Sequence, residues 1–363
     1  MRRKVFLTSC NVKAPGISGM ENLQYILNDP DFVPPMSEIT FNKASSGYFG
    51  SLDLDAASPY YPDRQDLKIM RKDIVASVIC IGELLEENGM VREDLKHIPL
   101  FIANGMVVDK LYDKNNRLAR LFFEAIRLES NRGKNIKLFK TVPPLLALQT
   151  LTNATESYVA QYSGIAGNNT TFGNTSISAY YALLEGFRNI ESGKSNMAIV
   201  GASNSSGIYS NYTFRQFTDM TSVWRESPCS VFLLLESAES MKLRQKTGLC
   251  EMVELKSSNN IPVLFESSPE KPYGSLIDEI NGELTVFSGG FTEADYEKER
   301  QEVRSKSKNS FSWYSKLGNL GAGAVLMNIV TAVALMKSSS VALADCLDHD
   351  PYLRTSLVRL KVC

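Results

Sequence analysis

The sequence predicts an α/β protein whose central strands are covered by helices on both faces. Three observations predict it. Short β-rich runs alternate with longer helical patterns along the chain. One run, Met197-Ala198-Ile199-Val200, is apolar throughout, as a strand buried on both sides must be. The 363 residues are 44% hydrophobic, enough to fill a large core and too much for a disordered chain.

In chain order, residues 3–8 and 98–103 read as strands. Between them, residues 66–88 read as one amphipathic helix. Met70, Ile74, Val78, Ile81 and Leu85 fall three and four apart, and Gly89 can end it. Residues 116–130 carry a second helical pattern, with Leu118, Leu121, Phe122, Ala125 and Ile126 on its apolar side. A third helix spans 176–190 and leads into the strand 197–203. Strands follow at 231–236, 250–255 and 284–287. The stretch 268–283 reads as a loop with a helical turn or two. A fourth helix covers 321–337, and 355–362 reads as the last strand. No linker, low-complexity tract or short repeat interrupts the series.

Charge and rare residues exclude several functions. Lys plus Arg number 39 and Asp plus Glu 40, a net charge of -1, which argues against a general nucleic-acid binder. Six scattered cysteines make no disulfide framework and none forms C-x-x-C. With only His97 and His349 as histidines, no metal site and no cofactor are expected. Any catalytic triad must use one of these two. His97 precedes a strand and reads as surface loop. His349 lies between Asp348 and Asp350 and reads as a solvated turn.

Export and membrane signals are weak. Met1-Arg2-Arg3-Lys4 is followed by only Val5-Phe6-Leu7 before Thr8 and Ser9, too short for a signal peptide, so a cytoplasmic location is expected. Residues 318–336 carry no charge, but they contain three glycines, two asparagines and a threonine. They read as a helix buried in a large domain, not as a membrane span.

Several motifs resemble the β-ketoacyl-ACP synthases of the thiolase fold. Gly164-Ile165-Ala166-Gly167-Asn168 is similar to their G-I-x-G-P, and Thr175-Ser176-Ile177-Ser178 to T-A-C-S-S. Glu191-Ser192-Gly193-Lys194-Ser195-Asn196 and the strand to Gly201-Ala202 resemble R-S-G-x-x-D-x-A-L-A-G-G, and the spacing from the nucleophile matches without a gap. Lys4 to Val12 resembles the V-V-I-T-G-x-G opening, and Ser230 to Glu236 resembles G-A-G-V-L-V-L-E. Gly318-Asn319-Leu320, then Gly321-Ala322-Gly323, resembles G-H-L-x-A-A-A-G. The resemblance implies a layered αβαβα fold built from two related halves. These are residues 1–247 and a shortened second half, 248–363.

The resemblance also shows what is missing. These enzymes use a cysteine at a helix N-terminus, whose dipole favours the thiolate, with two histidines. Ser176 stands at the cysteine, Ser288 at the first histidine and Asn319 at the second. Tyr314 stands at the family lysine, with Lys316 nearby, and Cys229 at a family glycine. A serine hydroxyl is inert without an adjacent base. The F-G-F-G-G loop is absent. No catalytic residue is therefore expected. The pattern of loss resembles a chain length factor, the inactive partner of a type II polyketide ketosynthase, as in aryl polyene and flexirubin-type systems. The implied partners are an active ketosynthase, in a heterodimer, and an acyl carrier protein.

Pro144, Leu145 and Leu146, within 143–148, fall at the offset of the family's partner-pocket residues. Simple core leucines are the plain alternative. Residues 109–140 hold nine Lys/Arg against four Asp/Glu, a surplus that could steer an acidic carrier protein or serve only as a solvated helix face. Two other functions fit less well: an acyltransferase or decarboxylase using Ser176, and a homodimeric acyl-binding protein.

Overall fold

The computed structural model describes residues 2–42, 45–105, 151–205, 224–259, 276–290, 293–349 and 354–363. In chain order the strands are β1 (Val5–Ala14), β2 (Ile17–Ser18), β3 (Met36–Asn42), β4 (Ser45–Gly50), β5 (Leu100–Gly105), β6 (Asn169–Asn174) and β7 (Met197–Asn204). They continue as β8 (Trp224–Glu226), β9 (Cys229–Ser237), β10 (Cys250–Asn259), β11 (Leu284–Phe287), β12 (Asn309–Phe311), β13 (Leu343–His349) and β14 (Arg354–Val362). The α-helices are α1 (Gly19–Leu27), α2 (Lys72–Glu87), α3 (Ala154–Ser163), α4 (Ser176–Glu191), α5 (Ala238–Arg244), α6 (Glu293–Lys306), α7 (Tyr314–Leu317) and α8 (Ala324–Ser338).

One sheet runs β12-β11-β13-β14-β10-β1-β9-β7-β5-β6, with β2 paired to β1. Its two halves repeat one plan. Counting in chain order only the five strands each half places on this path, both halves read third-second-fourth-fifth-first from the outer edge inward. The second strand pairs parallel with the third and fourth; the fifth is antiparallel to its neighbours. The halves meet where β1 pairs antiparallel with β10, Val5 opposite Met252 and Leu7 opposite Cys250.

In each half a buried helix joins the third strand to the fourth: α4 in the first, α8 in the second. Both belong to the main core cluster, where Ile177, Tyr180 and Leu183 join Leu326, Ile329 and Val330. Each fully buried aliphatic side chain there contributes about 1.5–3 kcal/mol. Burial of α8 on nearly every side explains its even hydrophobicity. Gly321–Ser338 is the one helix among the described residues long and apolar enough to cross a membrane, and it is mostly buried inside the protein.

The expected helix over 66–88 is interrupted. Asp66–Lys68 forms a 3₁₀ turn, Arg71 is extended, and α2 starts at Lys72. Extension lets the Arg71 guanidinium clamp Asp73 through two 3.0 Å bonds, and Ser203 Oγ donates a third at 3.0 Å. Both charges are buried, so pairing is obligatory. β1 continues past the polar Thr8-Ser9 because a bulge there lets Thr8 Oγ1 donate to the buried Glu236 carboxylate at 2.6 Å. Within 276–283 a single turn, Ile277–Glu279, is helical. The helical pattern at 116–130 lies outside the described residues.

Candidate functional site

Ser176 opens α4, immediately after the extended Thr175, and is buried. Strand β6 ends just before it, so the third strand of the first half delivers the hydroxyl to the helix N-terminus. Ser178 folds back there, its hydroxyl donating to Thr175 O at 2.5 Å. Arg354 Nη2 donates to Thr175 Oγ1 at 3.0 Å. Among the described residues Ser176 Oγ has no hydrogen-bond partner. A helix N-terminus favours an anion, but nothing bonded to this hydroxyl can take its proton.

Ser288 follows β11. Its backbone N–H donates to Leu347 O at 3.2 Å, and its Oγ accepts the His349 N–H at 3.2 Å. Asn319 is fully engaged. Its N–H donates to Arg225 O at 2.8 Å and its carbonyl accepts the Ser227 N–H at 3.0 Å. Its side-chain Nδ2 donates to Gly290 O at 3.1 Å, and Oδ1 accepts the Gly321 N–H at 2.6 Å. Through backbone and side chain together, Asn319 ties three loops to one another.

Neither lysine surrogate reaches the site. Lys316 Nζ turns to Asp29 O at 3.3 Å and lies 5.4 Å from the centre of the Phe32 ring. Tyr314 is buried and stacks on Tyr296 at 5.1 Å. Burial, then Asp295 and Glu293, push its phenol well above the usual range.

Ser176, Ser288 and Asn319 do converge. They line one cavity with Trp313, Leu320, Ala324, Asn328, Asp348 and His349. It offers about 10 Å³ to the centre of a water-sized sphere, the threshold for a single water. Trp313 fills one wall, fixed by an indole N–H donated to Thr331 Oγ1 at 2.7 Å.

His349 corrects the sequence reading. It is no solvated turn: it closes β13, is 5% exposed, and faces this cavity. The segment Leu343–His349 is apolar enough to form a central strand, and its end is carried inward. His349 Nδ1 lies 2.7 Å from Glu299 Oε1, and Glu299 is fully buried. Burial pulls the imidazole pKa down, but Glu299, Asp348 and Glu302 outweigh it and hold the pKa above its ordinary value. Glu299 gave no sequence signal, because α6 is charged around its whole circumference. His97 ends an exposed 3₁₀ turn, Asp94–His97, as expected.

Cys229, at the family glycine, is buried under Leu320 O, 3.6 Å from its sulfur. Burial pushes its thiol up to about 12. A side chain at Gly323 would meet that sulfur at 2.1 Å, and one at Gly321 would meet Asn204 Oδ1 at 2.3 Å. Both glycines therefore serve close packing, and the bulk added at 229 is offset by its absence at 323. Pro144, Leu145, Leu146 and the basic stretch 109–140 lie outside the described residues. Among the described residues no cluster of three His, Cys, Asp or Glu is placed to hold a metal.

No protein-family model and no curated protein matches this chain. Solved structures do. One is AntDE:AntF, a type II PKS acyl-carrier protein in complex with its ketosynthase bound to the hexaketide; the TM-score is 0.71 at 13% identity, covering 100% of both chains. Another is the ishigamide ketosynthase/chain length factor, with TM-score 0.73 and 15% identity, again over 100% of both chains. The chain has the thiolase-like α/β fold, with its two related halves, of these ketosynthase and chain-length-factor structures.

Proposed function

We propose that this chain is a non-condensing, chain-length-factor-like subunit that pairs with an active ketosynthase in type II polyketide biosynthesis of the aryl polyene kind. One observation carries the reading: the cavity that holds all three degenerate positions has room for about one water. A condensing enzyme must place an acyl thioester and a malonyl group there. Ser176, Ser288 and Asn319 supply neither thiolate nor neutral imidazole. The two halves are 1–247 and 248–363, and no residue is assigned catalysis. The chain would work in the cytoplasm, without metal or cofactor.

Pairing has a physical basis. Among the described residues β6 is the edge of the sheet, and Asn169, Thr170 and Gly173 are exposed on it. An unpaired edge is a template for a partner strand. Pro144, Leu145 and Leu146 would then line the partner's acyl pocket, and the basic stretch 109–140 would attract an acidic carrier protein. Co-expressed with an intact Cys-His-His ketosynthase of the same pathway, the chain should elute as a one-to-one complex. Such obligate interfaces bury roughly 2,000–5,000 Å². A well-folded monomer at micromolar concentration would overturn the reading, and a stable homodimer indifferent to the synthase would favour an acyl-binding protein.

A second reading, acyl transfer or decarboxylation through Ser176, gains one observation: His349 shares the cavity. Against it, Ser176 Oγ makes no bond to that imidazole, whose Nδ1 is already engaged by Glu299 at 2.7 Å.

A further inference from the structure

We propose that the His349–Glu299 pair is a proton-dependent clamp that holds the degenerate cavity shut by fastening the end of β13 to α6. The His349 ring is at once a wall of the cavity and the partner of Glu299, 2.7 Å away. The two side chains are 4% and 0% exposed, so neither charge has water to fall back on. Of the 14 residues of α6, only Glu299 and Val303 are buried, with Tyr296 stacked between Phe287 and Tyr314. Helix α6 is thus attached by two apolar side chains, the buried His349–Glu299 pair and the exposed Lys306–Asp278 pair at its last residue. Helices held by so few contacts open locally before the whole protein unfolds.

The charged groups acting on the imidazole are Glu299 and Glu302 of α6 and Asp348 of its own strand. Neighbouring strands bring Ser288, which accepts the His349 N–H, and Thr355, its register partner; neither titrates near neutrality. A protonated ring gives Glu299 a charge-assisted bond, about twice as strong as a neutral one. The folded pKa is raised, so the stabilisation is complete below the unfolded value. It fades as pH rises through the folded pKa, and the clamp loosens on the alkaline side. The clamp works on this chain's own cavity and does not depend on which partner the chain meets.

Two measurements on the full chain test it. With only two histidines, the imidazole resonances can be followed by NMR and assigned with the exposed-site variant His97→Gln. In the wild type His349 should titrate above the ordinary imidazole value. In Glu299→Gln it should fall below its wild-type value, because burial is then opposed only by Asp348 and Glu302. Second, Ser176→Cys places a thiol in the cavity for labelling by a neutral maleimide, read peptide by peptide. Adding Glu299→Gln at pH 6.5 should speed labelling at position 176 by at least about tenfold. The exposed Cys363 should be unchanged, and the buried Cys80, Cys250 and Cys346 should stay protected. Equal rates at position 176 would overturn the clamp. So would parallel acceleration of every buried cysteine, which would mean global destabilisation. Where Glu299→Gln does not accumulate, the wild-type titration decides, and His349 titrating at or below the ordinary imidazole value refutes the proposal.

Discussion

Gly318→Val should cost about 4 kcal/mol or more and leave little soluble protein. Gly318 sits at φ 73°, ψ −155°, backbone space that side chains other than glycine scarcely enter. Space is also denied. A Cβ there would lie 2.3 Å from both the backbone carbon and oxygen of Arg225, atoms that cannot rotate away. The next residue, Asn319, donates its N–H to that same Arg225 oxygen at 2.8 Å. The substitution therefore breaks the link that seats Asn319 in the cavity wall. Soluble yield and thermal melting check it. A melt within 2 °C of wild type, about 1–2 kcal/mol for a chain of this size, would show that the loop has freedom the geometry denies.

Asp345→Ala should cost about 3–5 kcal/mol, lowering Tm by about 4–7 °C if unfolding is two-state. Asp345 is fully buried in β13. Its Oδ2 accepts the N–H groups of Asn281 and Gly282 at 2.8 and 2.7 Å, and its Oδ1 accepts Arg359 Nε at 2.7 Å. Arg359 in turn donates to Glu279 O at 2.7 Å and pairs with Glu254. Removing the carboxylate strands two backbone donors and part of a half-buried cation. Adding Arg359→Met should recover some of the loss, since an apolar side chain needs no counter-charge. Failure of the double variant to recover any stability would mean the two backbone bonds carry the whole effect.

The fold was legible where burial is simple. Met197 to Val200 and Ser230 to Glu236 are apolar in runs, and both became central strands. The helix beginning at Ser176 was placed correctly because its apolar face and exit glycine are both local signals. The small sheet β3-β4-β8 was not foreseen. Its strands are short and polar, and β8 comes from a segment far along the chain. Helix α6 was hidden because it offers almost no apolar stripe. The break at Arg71 was invisible because a buried ion pair, not a proline or glycine, ends the helix.

The site divides in the same way. Ser176, Ser288 and Asn319 were found by motif spacing and do meet in space. His349 was misread because two flanking aspartates suggest solvent, whereas the strand buries Asp348 and His349 alike and supplies Glu299 from another element. A composition argument sees neighbours in sequence; the charge that neutralises this histidine comes from 50 residues away.

The central claim is that this cavity does not condense acyl units. Incubation of the purified chain with acyl- and malonyl-loaded carrier protein, monitored for carbon dioxide release and chain extension, tests it most directly. No turnover above the protein-free control is expected, with Ser176→Ala indistinguishable from wild type. Turnover that Ser176→Ala abolishes would contradict it.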